Sequence, residues 1–112
     1  MNAPVRDITP AEAAALAESG DVQLLDVREQ DEWDAGHAAA ATHTPLGSVD
    51  AAAVPSDRPV VTVCRSGGRS GQAATLLATA GHDVRNLAGG MNAWAAAGLP
   101  VVRTDGSAGQ VI

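Results

Sequence analysis

The chain has no lysine, no tyrosine and no phenylalanine, and it has a single cysteine and two tryptophans. Each scarcity excludes something. One cysteine cannot close an intrachain disulfide or furnish a cysteine-rich structural zinc site. Two tryptophans provide no row of stacking platforms for single-stranded nucleic acid. The formal charge of −6 argues against non-specific attraction to a phosphate backbone. A phosphate-binding P-loop requires a lysine, and there is none. All seven positive charges are therefore arginines, which stay protonated at any working pH. No apolar run approaches the roughly 18 residues of a membrane span. The opening stretch MNAPVRDITPAE lacks the basic start and apolar centre of a secretory signal. The expectation is a cytoplasmic protein with a reduced thiol, free of nucleic acid and membrane partners.

At 112 residues the chain is the size of one domain. We expect that domain over residues 5–103, followed by a flexible polar tail, TDGSAGQVI, over residues 104–112. Thr9-Pro10-Ala11-Glu12 is a helix start, with Thr9 as cap, proline at the first helical position and Glu12 completing a capping box. That helix stops at Gly20. Residues 22–27, VQLLDV, suit a buried strand. The acidic EQDEWDAG reads as a short helix closing at Gly36 with Trp33 turned inward, its charges on a solvated face. A brief strand within residues 40–46 and a helical turn over 48–54 come next.

The second clear strand lies within residues 58–63 and contains VVTV. After the glycine-rich CRSGGRS a helix starts near Ser70 and stops at Gly81. A strand over residues 84–87, a loop at Ala88-Gly89-Gly90 and a last helix carrying Trp94 complete the chain. Strands alternate with helices through connections too long for hairpins. That order predicts a mainly parallel sheet with helices on both faces, whose ligands bind beyond the carboxyl ends of the strands.

Cys64 stands at that end of the second strand. Alone, a cysteine after an apolar run is most simply a small buried hydrophobe. The residues behind it reverse that reading. Gly67 and Gly68 permit a curl in which backbone N–H groups converge on one centre. A helix N-terminus adds partial positive charge there, and Arg65 and Arg69 bracket the loop. Each feature favours thiolate over thiol, and the thiolate is the nucleophile.

Three stretches resemble a single-domain rhodanese, a sulfurtransferase-type domain. They are LLDVREQDEWDAGH over residues 24–37, CRSGGRS over 64–70, and NLAGGMNAWAAAGLPVV over 86–102. After Gly36-His37 the family usually has an apolar residue, proline and glycine, where this chain has Ala38, Ala39 and Ala40. The resemblance implies a three-layer α/β/α domain with a five-stranded parallel sheet. It implies that Cys64 takes a sulfane sulfur from thiosulfate or a low-molecular-weight persulfide and passes it to cyanide, a thiol or a protein acceptor. Backbone N–H groups of Arg65, Ser66, Gly67, Gly68, Arg69 and Ser70 would cradle the persulfide. Arg65 would face an anionic donor, and Arg69 would either do the same or pin the loop to an acidic side chain. His37 becomes a packing and hydrogen-bonding residue.

Asp26 and Arg28, at the end of the first clear strand, have two readings. They order the loop arginines, or Arg28 pairs with Glu29, Asp31 or Glu32. Trp33 and Trp94 are assigned to the core. His43 and His82 have no partners that suggest a metal site, and neither metal nor cofactor is expected. Two further functions remain in view. A phosphatase or arsenate reductase of the related fold has five residues between cysteine and arginine, whereas four separate Cys64 from Arg69. A binding or sulfur-relay module would keep the fold without turnover.

Overall fold

A computed structural model describes residues 5–112. The first four, where the stretch read for targeting begins, lie outside the described residues. Strand β1 is Arg6–Ile8, β2 is Gln23–Asp26, β3 is Ala41–His43, β4 is Val60–Val63 and β5 is Val84–Leu87. They form one five-stranded sheet in the order β1-β5-β4-β2-β3, and every pairing is parallel. Helices α1 (Pro10–Glu18), α2 (Gln30–Ala35), α3 (Gly68–Thr79) and α4 (Gly90–Ala96) connect or follow the strands. Two single 3₁₀ turns, Leu46–Ser48 and Ala51–Ala53, occupy the segment between β3 and β4.

The sheet is apolar on both faces, as a parallel sheet covered by helices must be. On one side Leu24, Val61 and Val63 pack with Ala13 of α1 and Met91 and Trp94 of α4. On the other, Leu25, Val60 and Val84 pack with Ala73, Ala74 and Leu77 of α3. Burial on both faces explains why β4 reads as an uninterrupted VVTV run, with all four residues buried. Thr9 caps α1 by accepting from the Glu12 N–H at 3.2 Å, and the Glu12 carboxylate accepts from the Thr9 hydroxyl at 2.9 Å.

Some local expectations differ from the structure. No residue of α2 is buried, so Trp33 is not a core residue. It is half-buried and stacks with two imidazoles, with ring centroids 3.6 Å from His37 and 4.9 Å from His43. Trp94 is in the core, its indole N–H donating to the Pro100 carbonyl at 2.9 Å. The segment from Thr104, read in the sequence as a flexible tail, is hydrogen-bonded to the body. Gly109 N–H donates to the Val101 carbonyl and Gln110 N–H to the Ala35 carbonyl, at 2.8 and 2.9 Å. Val111 reaches the core on the α1 and α4 side. Among the described residues no helix is long and apolar enough to cross a membrane.

Candidate active site

β4 ends at Val63, and the next residue is Cys64, 1% exposed, at the carboxyl edge of the sheet. The chain then curls through Gly67, whose φ of 115° lies in the left-handed region that glycine enters without penalty. α3 begins at Gly68, two residues before the expected start at Ser70, so Arg69 and Ser70 belong to its first turn. The curl aims donors back at the sulfur. Gly67 N–H donates to Cys64 Sγ at 3.0 Å, and Ser70 Oγ lies 3.2 Å from it. Burial pushes the thiol pKa up. Hydrogen bonds from the Ser70 hydroxyl and from the N–H groups of Ser70, Gly67 and Ser66 outweigh burial and leave the thiol below its ordinary value.

The two loop arginines play different parts. Arg69 forms a bidentate pair with Glu32 of α2, Nη1 to Oε1 at 2.6 Å and Nη2 to Oε2 at 2.8 Å. That hydrogen bond, against some burial, holds the Glu32 carboxyl down to about 2 and raises Arg69 further above its ordinary value. Glu32 is itself fixed by the start of its helix, where its Oε1 accepts from the Glu29 N–H at 3.1 Å. Arg69 is thus in contact with an acidic side chain of α2, the arrangement that one of its two expectations describes. Arg65 is exposed, and among the described residues its side chain has no hydrogen bond or ion pair.

Asp26 and Arg28 are both fully buried and pair with each other. Arg28 Nε and Nη2 donate to the Asp26 carboxylate at 2.8–3.1 Å, Nη2 also reaches the Gly36 carbonyl at 2.8 Å, and Nη1 the Glu32 carbonyl at 3.3 Å. Pairing of Arg28 with the carboxylates of Glu29, Asp31 or Glu32 is not what forms. Side chains two apart in extended chain point the same way, which hands Arg28 to Asp26. The pair touches neither loop arginine. Its link to the loop is indirect, through the Glu32 and Gly36 carbonyls of the helix that carries the partner of Arg69. The imidazole of His37 donates from Nδ1 to the Trp33 carbonyl and that of His43 from Nε2 to the Arg28 carbonyl. Among the described residues no cluster of acidic, histidine or cysteine side chains is arranged to hold a metal.

Two contributors carried no assigned role in the sequence. Asn86 of β5 spans the loop, its Nδ2 donating to the Gly67 carbonyl at 3.1 Å and its Oδ1 lying 2.6 Å from Ser70 Oγ. α4 closes the loop from the other side. Met91 N–H donates to the Cys64 carbonyl at 2.8 Å and Asn92 N–H to the Arg65 carbonyl at 3.0 Å. The signal for Asn86 was weak, since it is one of two polar residues in the strand VRNL, and the pairing of Thr62 with Asn86 sets it beside the strand that leads to Cys64.

A curled loop of this kind, between a parallel strand and a helix, can hold an anionic sulfur in a ring of N–H groups. A family model described as the rhodanese-like domain matches residues 9–97. The chain belongs to the rhodanese-like family. A sulfurtransferase of Allochromatium vinosum is 42% identical over 94 residues, covering 81% of this chain and 88% of that protein. The thiosulfate sulfurtransferase GlpE of Pseudomonas fluorescens is 38% identical over 92 residues, covering 78% and 82%. Among solved structures, a rhodanese-related protein of Thermoplasma volcanium superimposes with a TM-score of 0.80 at 27% identity, over 87% of this chain and 97% of that one.

In this rhodanese-like domain the two glycines of the loop after Cys64 are not equivalent. Gly67 has the left-handed φ, whereas at Gly68 an added Cβ meets no atom within 4 Å and φ is not positive. Gly67→Ala is expected to cost about 1–2 kcal/mol in stability and to slow reaction of Cys64. Gly68→Ala, at a helical position, is expected to be neutral or to stabilise by up to about 1 kcal/mol. Urea melts and Cys64 alkylation rates of the two variants check this, and equal behaviour would contradict it.

Proposed function

We propose that this rhodanese-like domain is a sulfurtransferase that carries a sulfane sulfur on Cys64. The donor is thiosulfate or a low-molecular-weight persulfide, and the acceptor is cyanide, a thiol or a protein nucleophile. The observation that carries this reading is the convergence of the Gly67 N–H and the Ser70 hydroxyl on Sγ. It favours the thiolate before reaction and gives an ionised outer sulfur the same donors afterwards. No neighbouring general base is required.

The Cys64 thiolate attacks the outer sulfur of thiosulfate, forming an S–S bond. The original S–S bond breaks, and sulfite leaves with its electron pair. The charge stays on the terminal sulfur of the Cys64 persulfide. Cyanide attacks that sulfur through carbon, thiocyanate leaves, and the Cys64 thiolate returns. A thiolate acceptor reacts likewise and departs as a persulfide. Arg65 is the cation available to an anionic donor, since Arg69 is engaged by Glu32. With one cysteine there is no resolving thiol in the chain, so the sulfur has to leave to an outside acceptor. A reduced thiol of this kind suits the cytoplasm.

Thiosulfate should add the mass of one sulfur atom to the intact protein, and cyanide should remove it. Cys64→Ser should show no gain and no thiocyanate production. A parent protein that gains no sulfur, or a serine variant that gains as much, would refute the proposal.

A further inference from the structure

Ser70 cannot donate to both of its neighbours at once. A serine hydroxyl carries one proton. Ser70 Oγ, fully buried, has two acceptors in reach, Cys64 Sγ at 3.2 Å and Asn86 Oδ1 at 2.6 Å. The orientation of the Asn86 amide is fixed by its other end. Nδ2 faces the Gly67 carbonyl at 3.1 Å, and a carbonyl only accepts, so Oδ1 is the atom turned to Ser70. The remaining neighbour of Oδ1, the Thr62 hydroxyl, is a weak substitute at 3.4 Å and has the Arg85 carbonyl as a second acceptor at 3.3 Å.

We propose that Asn86 is a positioning residue that competes with the Cys64 sulfur for the single proton of the Ser70 hydroxyl, so that Ser70 turns between them as Cys64 changes state. With Cys64 as a thiol, S–H donates to Ser70 Oγ and Ser70 O–H donates to Asn86 Oδ1, leaving every atom of the chain satisfied. When the thiol proton leaves to solvent, Ser70 O–H turns from Asn86 to the thiolate, and Oδ1 keeps only the long contact with Thr62. Asn86 thus favours the protonated thiol while holding the hydroxyl within reach of the sulfur. The same choice faces Ser70 whenever sulfur is loaded on Cys64 or removed from it.

Other charged groups around the sulfur are left in place by this switch. They are Arg65 and Arg69 of its own loop and α3, Glu29 and Glu32 at the start of α2, and the Asp26–Arg28 pair from β2. β5 brings Arg85, paired with Asp83, and α4 carries no titratable side chain. The proposal deepens the reading of Cys64 as the reacting thiol. Its test titrates that thiol directly, so it stands or fails separately from sulfur transfer.

Cys64 is the sole cysteine, and the ultraviolet absorbance of thiolate against pH therefore titrates this residue alone. Ser70→Ala should raise the apparent pKa. Asn86→Ala should lower it by about half a unit to one unit, the shift expected from releasing one hydrogen bond of ordinary net strength. Asn86→Leu, which keeps the branched shape of the side chain, should shift in the same direction. In a Ser70→Ala background the Asn86 substitutions should leave the pKa unchanged. If Asn86 only braced the loop, its loss would loosen the Ser66 and Gly67 donors and raise the pKa. A rise, no shift, or the same shift in both backgrounds would overturn the proposal.

Discussion

Gly90→Ala is expected to lower sulfur transfer by about 100-fold or more while leaving a folded, less stable domain. Gly90 has a φ of 58°, and a Cβ built on it would lie 2.6 Å from both the carbonyl carbon and oxygen of Arg65 and would overlap the Cys64 carbonyl. These atoms are backbone, held by the Met91 and Asn92 N–H groups, and no rotamer change relieves the clash. The left-handed conformation costs about 1–2 kcal/mol for an alanine, and the overlap adds about 1–3 kcal/mol. A domain of this size has roughly 5–15 kcal/mol in total. The fold should survive with a melting temperature lower by roughly 10 °C or more. The accommodating movement falls on the Cys64–Arg65 backbone, from which the donors on the sulfur are suspended. Gly98→Ala is the control, since its φ is 77° but nothing lies within 4 Å of its Cβ. It should lose stability and keep its transfer rate. Wild-type transfer in Gly90→Ala would show that α4 does not set the loop.

The residues that were legible in the sequence are those whose signal is local. The VVTV strand, the following glycine curl and the helix behind it are contiguous, and the structure places Cys64, Gly67 and Ser70 around one centre as that order requires. Strand β1 was not legible from pattern, because it is three residues long with only Ile8 buried. A single buried position has no period to detect. The fifth strand entered only through the family resemblance. The tail from Thr104 looked loose for a related reason. Its small polar residues carry no apolar signal, and its fit is to a distant glycine: a Cβ on Gly36 would lie 2.6 Å from the Gln110 nitrogen.

Partner choice among charges was the other illegible part. Counting nearby carboxylates offered Arg28 three partners in or just before the first turn of α2, Glu29, Asp31 and Glu32, and missed Asp26. The alternation of side chains along an extended chain favours residues two apart, and the buried pair follows it. Glu32 was then free for Arg69, 37 residues away, a pairing that only the fold brings together. Asn86 was visible as a polar residue in a strand, but its purpose depends on the β4–β5 register, which no local pattern supplies.

Asp26→Ala is expected to be the most destabilising single change at the site, at about 3–5 kcal/mol. It leaves the Arg28 guanidinium, fully buried and permanently charged, without a counter-ion. Removing the arginine as well should restore much of that loss, because replacing both members of a buried pair by apolar groups is often neutral. Urea denaturation of Asp26→Ala, Arg28→Met and the double variant tests this, with the double variant expected above Asp26→Ala in midpoint. Transfer should behave differently. Arg28 also donates to the carbonyls of Glu32 and Gly36, and so ties the middle and the C-terminal end of α2 to the segment after β2. Without it the Glu32 carboxylate loses its fixed height against Arg69, and the start of α3 loses its anchor. The double variant should therefore regain stability and remain slow in sulfur transfer. Recovery of both together would mean that the buried pair serves the fold alone and that Arg69 holds the loop without help from α2.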